Sequence, residues 1–174
     1  MSILTATDVI YEYRNAYQTV RAVNGVSCEF EQGLVYAIVG SSGSGKTTFL
    51  SLLAGLDVPT SGTIALDGQS TAELDRDEYR LNHVSVIYQN FNLFQHLTVL
   101  ENTMVGAFLK NSNAAVARKE SEAVLEMVGM AHLKDTVGKD LSLPQLKRME
   151  VARALATKPK VLLLDEVMAG LNPA

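Results

Sequence analysis

The residues of this sequence best suited to chemistry form a glycine-rich run at positions 40–48, which reads Gly-Ser-Ser-Gly-Ser-Gly-Lys-Thr-Thr. Glycine, four residues and then Gly-Lys-Thr match the phosphate-binding loop pattern, which has meaning when it lies between an apolar segment and a helix-like one, as here. Backbone N–H groups of such a loop converge on phosphate oxygens, and glycine has no Cβ to hold the ligand away. Lys46 is suited to the β- and γ-phosphates, and the Thr47 hydroxyl to Mg²⁺.

The run therefore predicts a nucleoside triphosphate site at a helix N-terminus, where N–H groups and the helix dipole favour an anion. A Gly/Ser-rich linker is the alternative, but a linker has no reason to place Lys-Thr at this step between two apolar segments. The expected nucleotide contacts are Gly40, Ser41, Ser42, Gly43, Ser44, Gly45, Lys46, Thr47 and Thr48.

A pair of carboxylates follows the apolar run at 160–164. Asp165 and Glu166 are expected at the C-terminal end of a buried strand, where ligands bind in open parallel sheets. Asp165 is suited to hold Mg²⁺, directly or through water. Glu166 is suited to orient and deprotonate an attacking water. An apolar strand that ends in two acidic residues is common, and the phosphate loop is what favours this interpretation.

The elements that must position these residues follow from hydrophobic spacing and turn residues. Extended segments are expected at 3–13 and 19–31, and a buried strand at 34–39 leads into the loop and a helix to residue 54. Further strands are expected at 63–66, 83–88 and 160–164, and further helices at 71–82, 98–110, 114–129 and 143–157. The pattern predicts an α/β core over 1–90 and 144–174, with a helical subdomain inserted at 91–143.

Composition narrows the classes of protein to consider. The chain has 174 residues, of which 47% are hydrophobic, enough for one core and one inserted subdomain. A net charge of −4 argues against a general nucleic-acid binder. The single cysteine, Cys28, has no partner for an internal disulfide, which fits a cytoplasmic setting. No segment approaches the ~20 apolar residues that cross a bilayer, so a membrane role is expected to come through a partner.

Taken together and in this order, the motifs resemble those of the nucleotide-binding subunit of an ATP-binding-cassette (ABC) transporter. The stretch from Val86 to Phe94 resembles the Q-loop of that family, and the resemblance implies that Gln89 contacts Mg²⁺ and the attacking water. Tyr13 matches the aromatic residue that stacks on adenine, although Tyr11 and Tyr17 lie close to it in the sequence.

This resemblance implies a P-loop α/β fold with an N-terminal antiparallel β subdomain and an inserted helical subdomain. It implies binding of ATP and Mg²⁺, and in the parent family ATP hydrolysis that drives transport through separate membrane subunits. The implied partners are permease subunits and a second nucleotide-binding subunit, with no nucleic acid. The implied location is cytoplasmic, on the inner face of the cell membrane.

The stretch that matches the family signature Leu-Ser-Gly-Gly-Gln departs from it. Here Leu141 and Ser142 are followed by Leu143, Pro144 and Gln145. Proline has no N–H to donate, and Leu143 brings a side chain where the family has none. Ser142 with Gln145 forms a capping-box pattern, and proline is tolerated in the first turn of a helix. Ser142 is therefore expected either to cap a helix alone or to cap it and contact a γ-phosphate across a subunit interface.

The two halves of the chain resemble different branches of the family. The first half, with its Gly-Leu-Asp-Val-Pro-Thr-Ser-Gly-Thr stretch at 55–63, resembles lipoprotein-releasing and macrolide-export ATPases. The last part resembles branched-chain amino-acid uptake ATPases. After Glu166, Val167 and Asn172 stand where the family usually has proline and aspartate. The transported substrate is therefore left open.

The family also has a switch histidine that follows these motifs, and in this chain His83, His96 and His132 all precede Asp165. On this basis the sequence is expected to be a C-terminally truncated cassette, without the later core elements, that hydrolyses ATP poorly. Three alternatives stay open: a nucleotide-binding fragment without hydrolysis, a soluble ABC protein outside transport, and, more weakly, a small-molecule kinase.

Overall fold

The computed structural model describes residues 1–88 and 93–165. Gln89, Glu166 and the altered residues Val167 and Asn172 lie outside the described residues. The chain divides into two compact units, Met1–Arg80 and Leu81–Ala174, and each is described by itself.

The first unit contains a four-stranded antiparallel sheet. Its strands are β1 (Ser2–Arg14), β2 (Thr19–Glu31), β3 (Ser61–Leu66) and β4 (Gln69–Ser70), in the order β2-β1-β3-β4. The sheet buries apolar side chains from β1, β2 and β3. The buried ones include Leu4, Ala6, Val9, Val23 and Ile64. The N-terminal antiparallel β subdomain expected from the sequence is therefore confirmed.

Helix α1 (Lys46–Leu53) follows the glycine-rich run and buries Phe49, Leu52 and Leu53. Helix α2 (Arg76–Asn82) lies later in the chain, and its Tyr79 is 1% exposed. The Tyr79 hydroxyl donates to the carbonyl oxygen of Leu53 at 2.8 Å. Burial raises the pKa of Tyr79 well above its usual value, because the charged phenolate would lose its hydration. The C-terminal end of α1 is thus held by a buried, hydrogen-bonded aromatic ring.

One expected element does not form. The segment 34–39, which the sequence predicts as a buried strand, is irregular and exposed; Val35 is fully exposed and Val39 is 86% exposed. A strand needs neighbours to pair its backbone N–H and C=O groups. Among the described residues the six strands pair only with one another, so nothing there pairs with this segment. The prediction of a buried strand at 34–39 is therefore wrong, although the turn before it forms, with Gly33 at φ 79°.

The second unit joins a small parallel sheet to a helical layer. Strands β5 (Val84–Ile87) and β6 (Val161–Leu164) pair in parallel. Helices α3 (Val99–Phe108), α4 (Ala114–Met127) and α5 (Leu143–Ala156) follow the expected boundaries within a few residues. Short 3₁₀ helices occur at Ala131–Leu133 and Gly138–Asp140. The helices share a core of Val99, Leu100, Leu125, Met130, Leu141, Met149 and Ala152.

Local signals explain where these helices begin and how closely they pack. Thr98 accepts a hydrogen bond from the N–H of Glu101, and Glu101 accepts one from the N–H of Thr98, which is a capping box. Asn113 caps α4 by accepting from two backbone N–H groups. Gly106 of α3 lies so close to α5 that a Cβ there would be 2.2 Å from the carbonyl oxygen of Arg153. Within residues 1–88 and 93–165, none of the helices has the length and apolar character needed to cross a bilayer.

Candidate nucleotide-binding site

The glycine-rich run has the backbone shape that its pattern predicts. Gly45 adopts φ 87° and is the N-cap of α1. A Cβ at Gly45 would lie 2.0 Å from the carbonyl oxygen of Ala22 in β2, so a side chain does not fit there. Gly43 also has a positive φ, 77°, a region that glycine enters without steric cost. Two glycines of the run are therefore required by the fold of the loop.

Lys46 places its charge at this loop. Its Nζ donates to the carbonyl oxygens of Gly40 at 3.0 Å and Ser41 at 2.9 Å. The loop is tightened by the N–H of Ser44, which donates to the carbonyl oxygen of Ser41 at 3.2 Å. An ammonium group held over exposed loop backbone suits an anionic ligand, because a phosphate oxygen is a stronger acceptor for it than a neutral carbonyl.

The first turn of α1 adds a second feature that favours an anion. A helix leaves its first N–H groups without partners inside the helix, and its dipole is positive at that end. In the part of the chain that the structure describes, no side chain caps α1. Thr47 and Thr48 lie in this first turn. The arrangement fits a phosphate chain with Mg²⁺ bound beside it.

The hydroxyl groups at the start of α1 are of a type that can bind Mg²⁺ together with a phosphate chain. Among residues 1–88 and 93–165 there is no cluster of three or more His, Cys, Asp and Glu side chains that could hold a metal ion. Mg²⁺ usually takes one or two protein ligands together with substrate phosphates and water. The hydroxyl of Thr47 would be a ligand of that kind.

Tyr13 lies beside the phosphate-loop helix. Its hydroxyl is 3.3 Å from the Thr48 hydroxyl, and its side chain is about half exposed. Tyr17, by contrast, is 97% exposed and lies in the turn between β1 and β2. Of the aromatic residues that the sequence offered for base stacking, the structure brings Tyr13 to the loop helix. Stacking of the Tyr13 ring on a base stays a prediction.

Tyr11 makes a different contact, which sequence reasoning missed. Its hydroxyl donates a hydrogen bond to a carboxylate oxygen of Asp57, in the loop that follows α1. This bond and the nearby negative charge raise the pKa of Tyr11 to about 12. The rings of Tyr11 and Tyr13 meet edge to face, with centroids 5.0 Å apart. The i, i+2 spacing of the two tyrosines in a strand was a usable signal for this shared face, but nothing in the sequence pointed to Asp57.

The carboxylate expected for the metal belongs to the second unit. Asp165 follows the last residue of β6, and its N–H donates to the carbonyl oxygen of Ile87 at 2.9 Å. This bond continues the parallel pairing of β5 and β6 to the C-terminal edge of that small sheet. Asp165 therefore lies at the carboxyl end of a parallel strand, as the sequence predicts. The expectation that this strand is buried is wrong, since Leu164 is 47% exposed. The roles expected of Gln89 and Glu166 stay predictions, since neither lies among the described residues.

Ser142 is the N-cap of α5, and its capping box with Gln145 is present. Both its N–H, at 2.8 Å, and its hydroxyl, at 2.9 Å, donate to Oε1 of Gln145. Pro144 lies in the first turn, and the Leu143 side chain is half exposed at the helix start. Ser142 is thus a helix cap, and its contact with a γ-phosphate stays a prediction.

A cavity of about 410 Å³ lies elsewhere in the second unit, among β5, α3 and α5. Its wall includes Tyr88, Phe94, Leu109, Glu150 and Arg153. Burial lowers the pKa of the Arg153 guanidinium, and the negative charge of Glu150 opposes that shift. The described residues that are expected to bind nucleotide or metal are not among those that line this cavity.

Comparison with known proteins gives a consistent result. The sequence matches the family model described as ABC transporter over residues 23–169. It is 37% identical to the methionine import ATP-binding protein MetN of Photobacterium profundum over 163 residues, which cover 91% of this chain and 47% of that protein. It is also 37% identical to the lipoprotein-releasing system ATP-binding protein LolD of Hydrogenovibrio crunogenus, over 98% of this chain and 75% of that protein. The chain spans about half the length of the MetN relatives it matches.

Two solved structures illustrate the similarity in fold. The dimeric cassette MJ0796 in a post-hydrolysis state with ADP and Pi has a TM-score of 0.85 and 29% identity, covering 98% of this chain and 76% of that one. The protein cbiO1 of Clostridium perfringens, part of the transporter complex cbiONQ, has a TM-score of 0.88 and 31% identity, covering 99% of this chain and 68% of that one. Both are fold neighbours over nearly the whole chain.

Proposed function

This chain belongs to the ABC transporter family, and on that premise we propose that it is an ATP-binding subunit that energises transport through separate membrane subunits. The observation that carries the proposal is the phosphate loop, in which Gly45 accepts no side chain and Lys46 is held over the loop backbone. Loop amides, the Lys46 ammonium and the N-terminal end of α1 bind the phosphate chain. The Tyr13 ring stacks on the base.

Mg²⁺ bound with the nucleotide would neutralise part of the charge that develops on the phosphates during transfer. The Thr47 hydroxyl and the Asp165 carboxylate are its proposed protein ligands, with Gln89 as a third by family resemblance. Glu166 is the proposed base that orients and deprotonates the attacking water. Asp165 supports this assignment by its place at the end of β6, directly before Glu166 in the chain.

The proposed partners are permease subunits and a second nucleotide-binding subunit. The relatives support both: MetN and LolD are named as ATP-binding proteins of transport systems, cbiO1 is part of a transporter complex, and MJ0796 is a dimer. The proposed location is the cytoplasmic face of the membrane, through those permease subunits. One relative is named for import of methionine and another for release of lipoproteins, so the proposal extends to transport and leaves the cargo and its direction open.

The test of ATP binding is the Lys46→Ala variant in a titration with Mg-ATP. Loss of one charge-assisted phosphate contact costs about 1.5–3 kcal/mol, so the affinity should fall by at least about tenfold. Lys119→Ala in α4 is the matched control, since Lys119 is an exposed lysine outside every predicted site residue. Equal ATP affinity in the Lys46→Ala and Lys119→Ala variants would show that the phosphate loop does not bind nucleotide.

A second candidate function is nucleotide binding without hydrolysis, which the helix start at α5 favours. Pro144 has no N–H to offer a γ-phosphate, and Leu143 places an exposed side chain at the same helix end. Single-turnover hydrolysis of Mg-ATP, compared between the unchanged chain and Glu166→Gln, separates the two functions. Glutamine keeps the shape of the side chain but cannot accept a proton, so ATP binding should persist while any hydrolysis is lost.

A further inference from the structure

We propose that Tyr11 and Asp57 are positioning residues that hold the Tyr13 ring in the orientation needed to stack on the nucleotide base. The inference rests on the proposed function, and it adds two residues for which the sequence offered no such role. It is carried by three contacts: Tyr11 with Asp57, Tyr11 with Tyr13, and Tyr13 with Thr48.

The contact between the two tyrosines sets the plane of the Tyr13 ring. The rings lie at 84° to each other with centroids 5.0 Å apart, an edge-to-face pair. This arrangement is favoured because the positive edge of one ring meets the negative face of the other. Rotation of either ring loses the contact. The orientation of Tyr11 therefore determines which orientations are favourable for Tyr13.

Tyr11 in turn is held by Asp57. A hydroxyl that donates to an ionised carboxylate makes a short, charge-assisted hydrogen bond, stronger than one between neutral groups. The second carboxylate oxygen of Asp57 accepts from the N–H of Val58 at 2.9 Å, so the carboxylate is itself fixed by loop backbone. The pKa of the Tyr11 hydroxyl, raised to about 12, accords with this bond.

Two hydrogen bonds, one to a side-chain hydroxyl and one between backbone groups, connect the same loop to the strand that carries both tyrosines. The N–H of Glu12 donates to the Thr60 hydroxyl at 3.0 Å, and the N–H of Thr60 donates to the carbonyl oxygen of Ile10 at 2.8 Å. The loop after α1 thus lies along the end of β1 at Ile10, Tyr11 and Glu12. The Tyr11–Asp57 bond is part of a fixed junction rather than an isolated surface contact.

Contacts near both ends of α1 therefore hold Tyr13 in position. Its own hydroxyl lies 3.3 Å from that of Thr48 in the first turn of the helix. Through Tyr11 it is connected to Asp57, beyond the last turn. Thr48 in the first turn of α1 and Asp57 in the loop after the helix therefore both contribute to the position of the ring.

The experiment compares two ligands of the 174-residue chain, Mg-ATP and Mg-tripolyphosphate, which has the phosphates of ATP but no base. Tyr11→Phe removes the hydroxyl and keeps the ring, and Asp57→Asn removes the charge and keeps an acceptor. Each should weaken ATP binding about two- to tenfold, the range for loss of one hydrogen bond. Neither should change tripolyphosphate binding. Tyr17→Phe, at a tyrosine that is 97% exposed, is the matched control.

Two further variants test whether Tyr11 affects ATP binding through Tyr13. Tyr13→Ala should weaken ATP binding about five- to 150-fold, as expected for loss of one base stack, and leave tripolyphosphate binding intact. Tyr11→Phe added to Tyr13→Ala should cause no additional loss, because the residue to be positioned is gone. Circular dichroism of each variant checks that the chain is folded.

Equal weakening of ATP and tripolyphosphate binding in Tyr11→Phe would mean that Tyr11 supports the fold only, and would overturn the inference. Unchanged ATP affinity in both Tyr11→Phe and Asp57→Asn would overturn it as well. Failure of the proposed function looks different: Lys46→Ala would then leave the affinity for both ligands unchanged. That result would remove the inference along with the function on which it rests.

Discussion

The chain contains two helices that begin where the family motifs place an anion, and their N-terminal ends differ. Helix α1 begins after Gly45, a left-handed glycine with no side-chain cap, and a lysine ammonium lies over the loop before it. Helix α5 begins after Ser142, whose capping box uses the side chain of Gln145, and its first turn contains a proline. One helix start is open to a ligand and the other is satisfied by its own side chains.

The difference teaches what makes a helix N-terminus a binding site. The dipole and the unpaired N–H groups are common to every α-helix. The residues at the cap determine whether these groups are offered to a ligand or used internally. In this chain Gly45 provides no side-chain cap for α1, whereas Ser142 forms a capping box at the start of α5 and Pro144 removes one N–H group there.

The largest expected effect comes from adding a side chain at the N-cap of α1. Gly45→Ala introduces a Cβ 2.0 Å from the carbonyl oxygen of Ala22 and strains a backbone with φ 87°. Left-handed backbone alone costs about 1–2 kcal/mol for a residue with a side chain. Mg-ATP affinity should fall by at least about tenfold, with a lower melting temperature. The matched control is Gly43→Ala, which has φ 77° but no atom within 4 Å of the new Cβ, and its loss should be smaller. Equal losses would show that the clash with β2 is unimportant.

The next largest effect is expected from replacing the leucine and the proline at the start of α5. Leu143→Gly with Pro144→Gly removes the exposed side chain and restores one N–H in the first turn of α5. If the family arrangement applies, ATP should then promote dimerisation more strongly, by about tenfold for one added charge-assisted hydrogen bond. Sedimentation velocity with Mg-ATP, in a Glu166→Gln background that prevents turnover, measures the change, and ADP is the control. An unchanged ATP-dependent dimer fraction would mean that these residues do not close the site.

A smaller effect, on the free energy of unfolding, is expected from changing Ser142, the N-cap of α5. Ser142→Ala removes the side chain that caps α5 and should lower the free energy of unfolding by about 1 kcal/mol. Ser142→Asp keeps an acceptor at the same position and should restore most of that stability. Urea unfolding followed by circular dichroism measures both variants. Full stability of Ser142→Ala would contradict the account of α5 as a self-satisfied helix start.

The smallest expected effect is the pH dependence of the hydrogen bond between Tyr11 and Asp57. The pKa of Tyr11 is raised from 10.0 to about 12 by its hydrogen bond to Asp57, by burial and by the charge of Asp57, with a further contribution from Tyr13. A raised pKa favours the neutral hydroxyl, so the stability that this bond contributes is complete below pH 10 and is lost as the pH rises through about 12. Absorbance at 295 nm, taken as the difference between the unchanged chain and Tyr11→Phe, isolates the titration. Asp57→Asn should move the midpoint back toward 10.0, and a midpoint unaffected by Asp57→Asn would refute the assignment.

Local signals made much of the fold predictable. The Asp67-Gly68 turn forms with both residues at positive φ, 49° and 81°, as a two-residue hairpin requires. The helix expected at 71–82 begins only at Arg76, because Asp75 accepts hydrogen bonds from the N–H groups of Asp77 and Glu78 and so sets the start of the helix. A capping aspartate in the sequence was a signal for that boundary.

Contacts between distant residues were harder to predict. The segment 34–39 reads as a strand because it is apolar throughout, but hydrophobicity does not supply the neighbour that a strand must pair with. The Tyr11–Asp57 bond joins residues 46 positions apart, and no spacing rule connects them. The phosphate loop was predictable because its chemistry is contained in nine consecutive residues. The residues that position the base are drawn from two segments that only the folded chain brings together.

The contacts of Lys46 have a consequence for selectivity. Its ammonium group already interacts with the carbonyl oxygens of Gly40 and Ser41, so any ligand must compete with this internal solvation. A neutral ligand would exchange one neutral acceptor for another and gain little, whereas an anion gains a charge-assisted bond. The two carbonyl oxygens thus disfavour the binding of uncharged molecules at Lys46. They also hold its long, flexible side chain in place, so that less conformational entropy is lost when an anion binds.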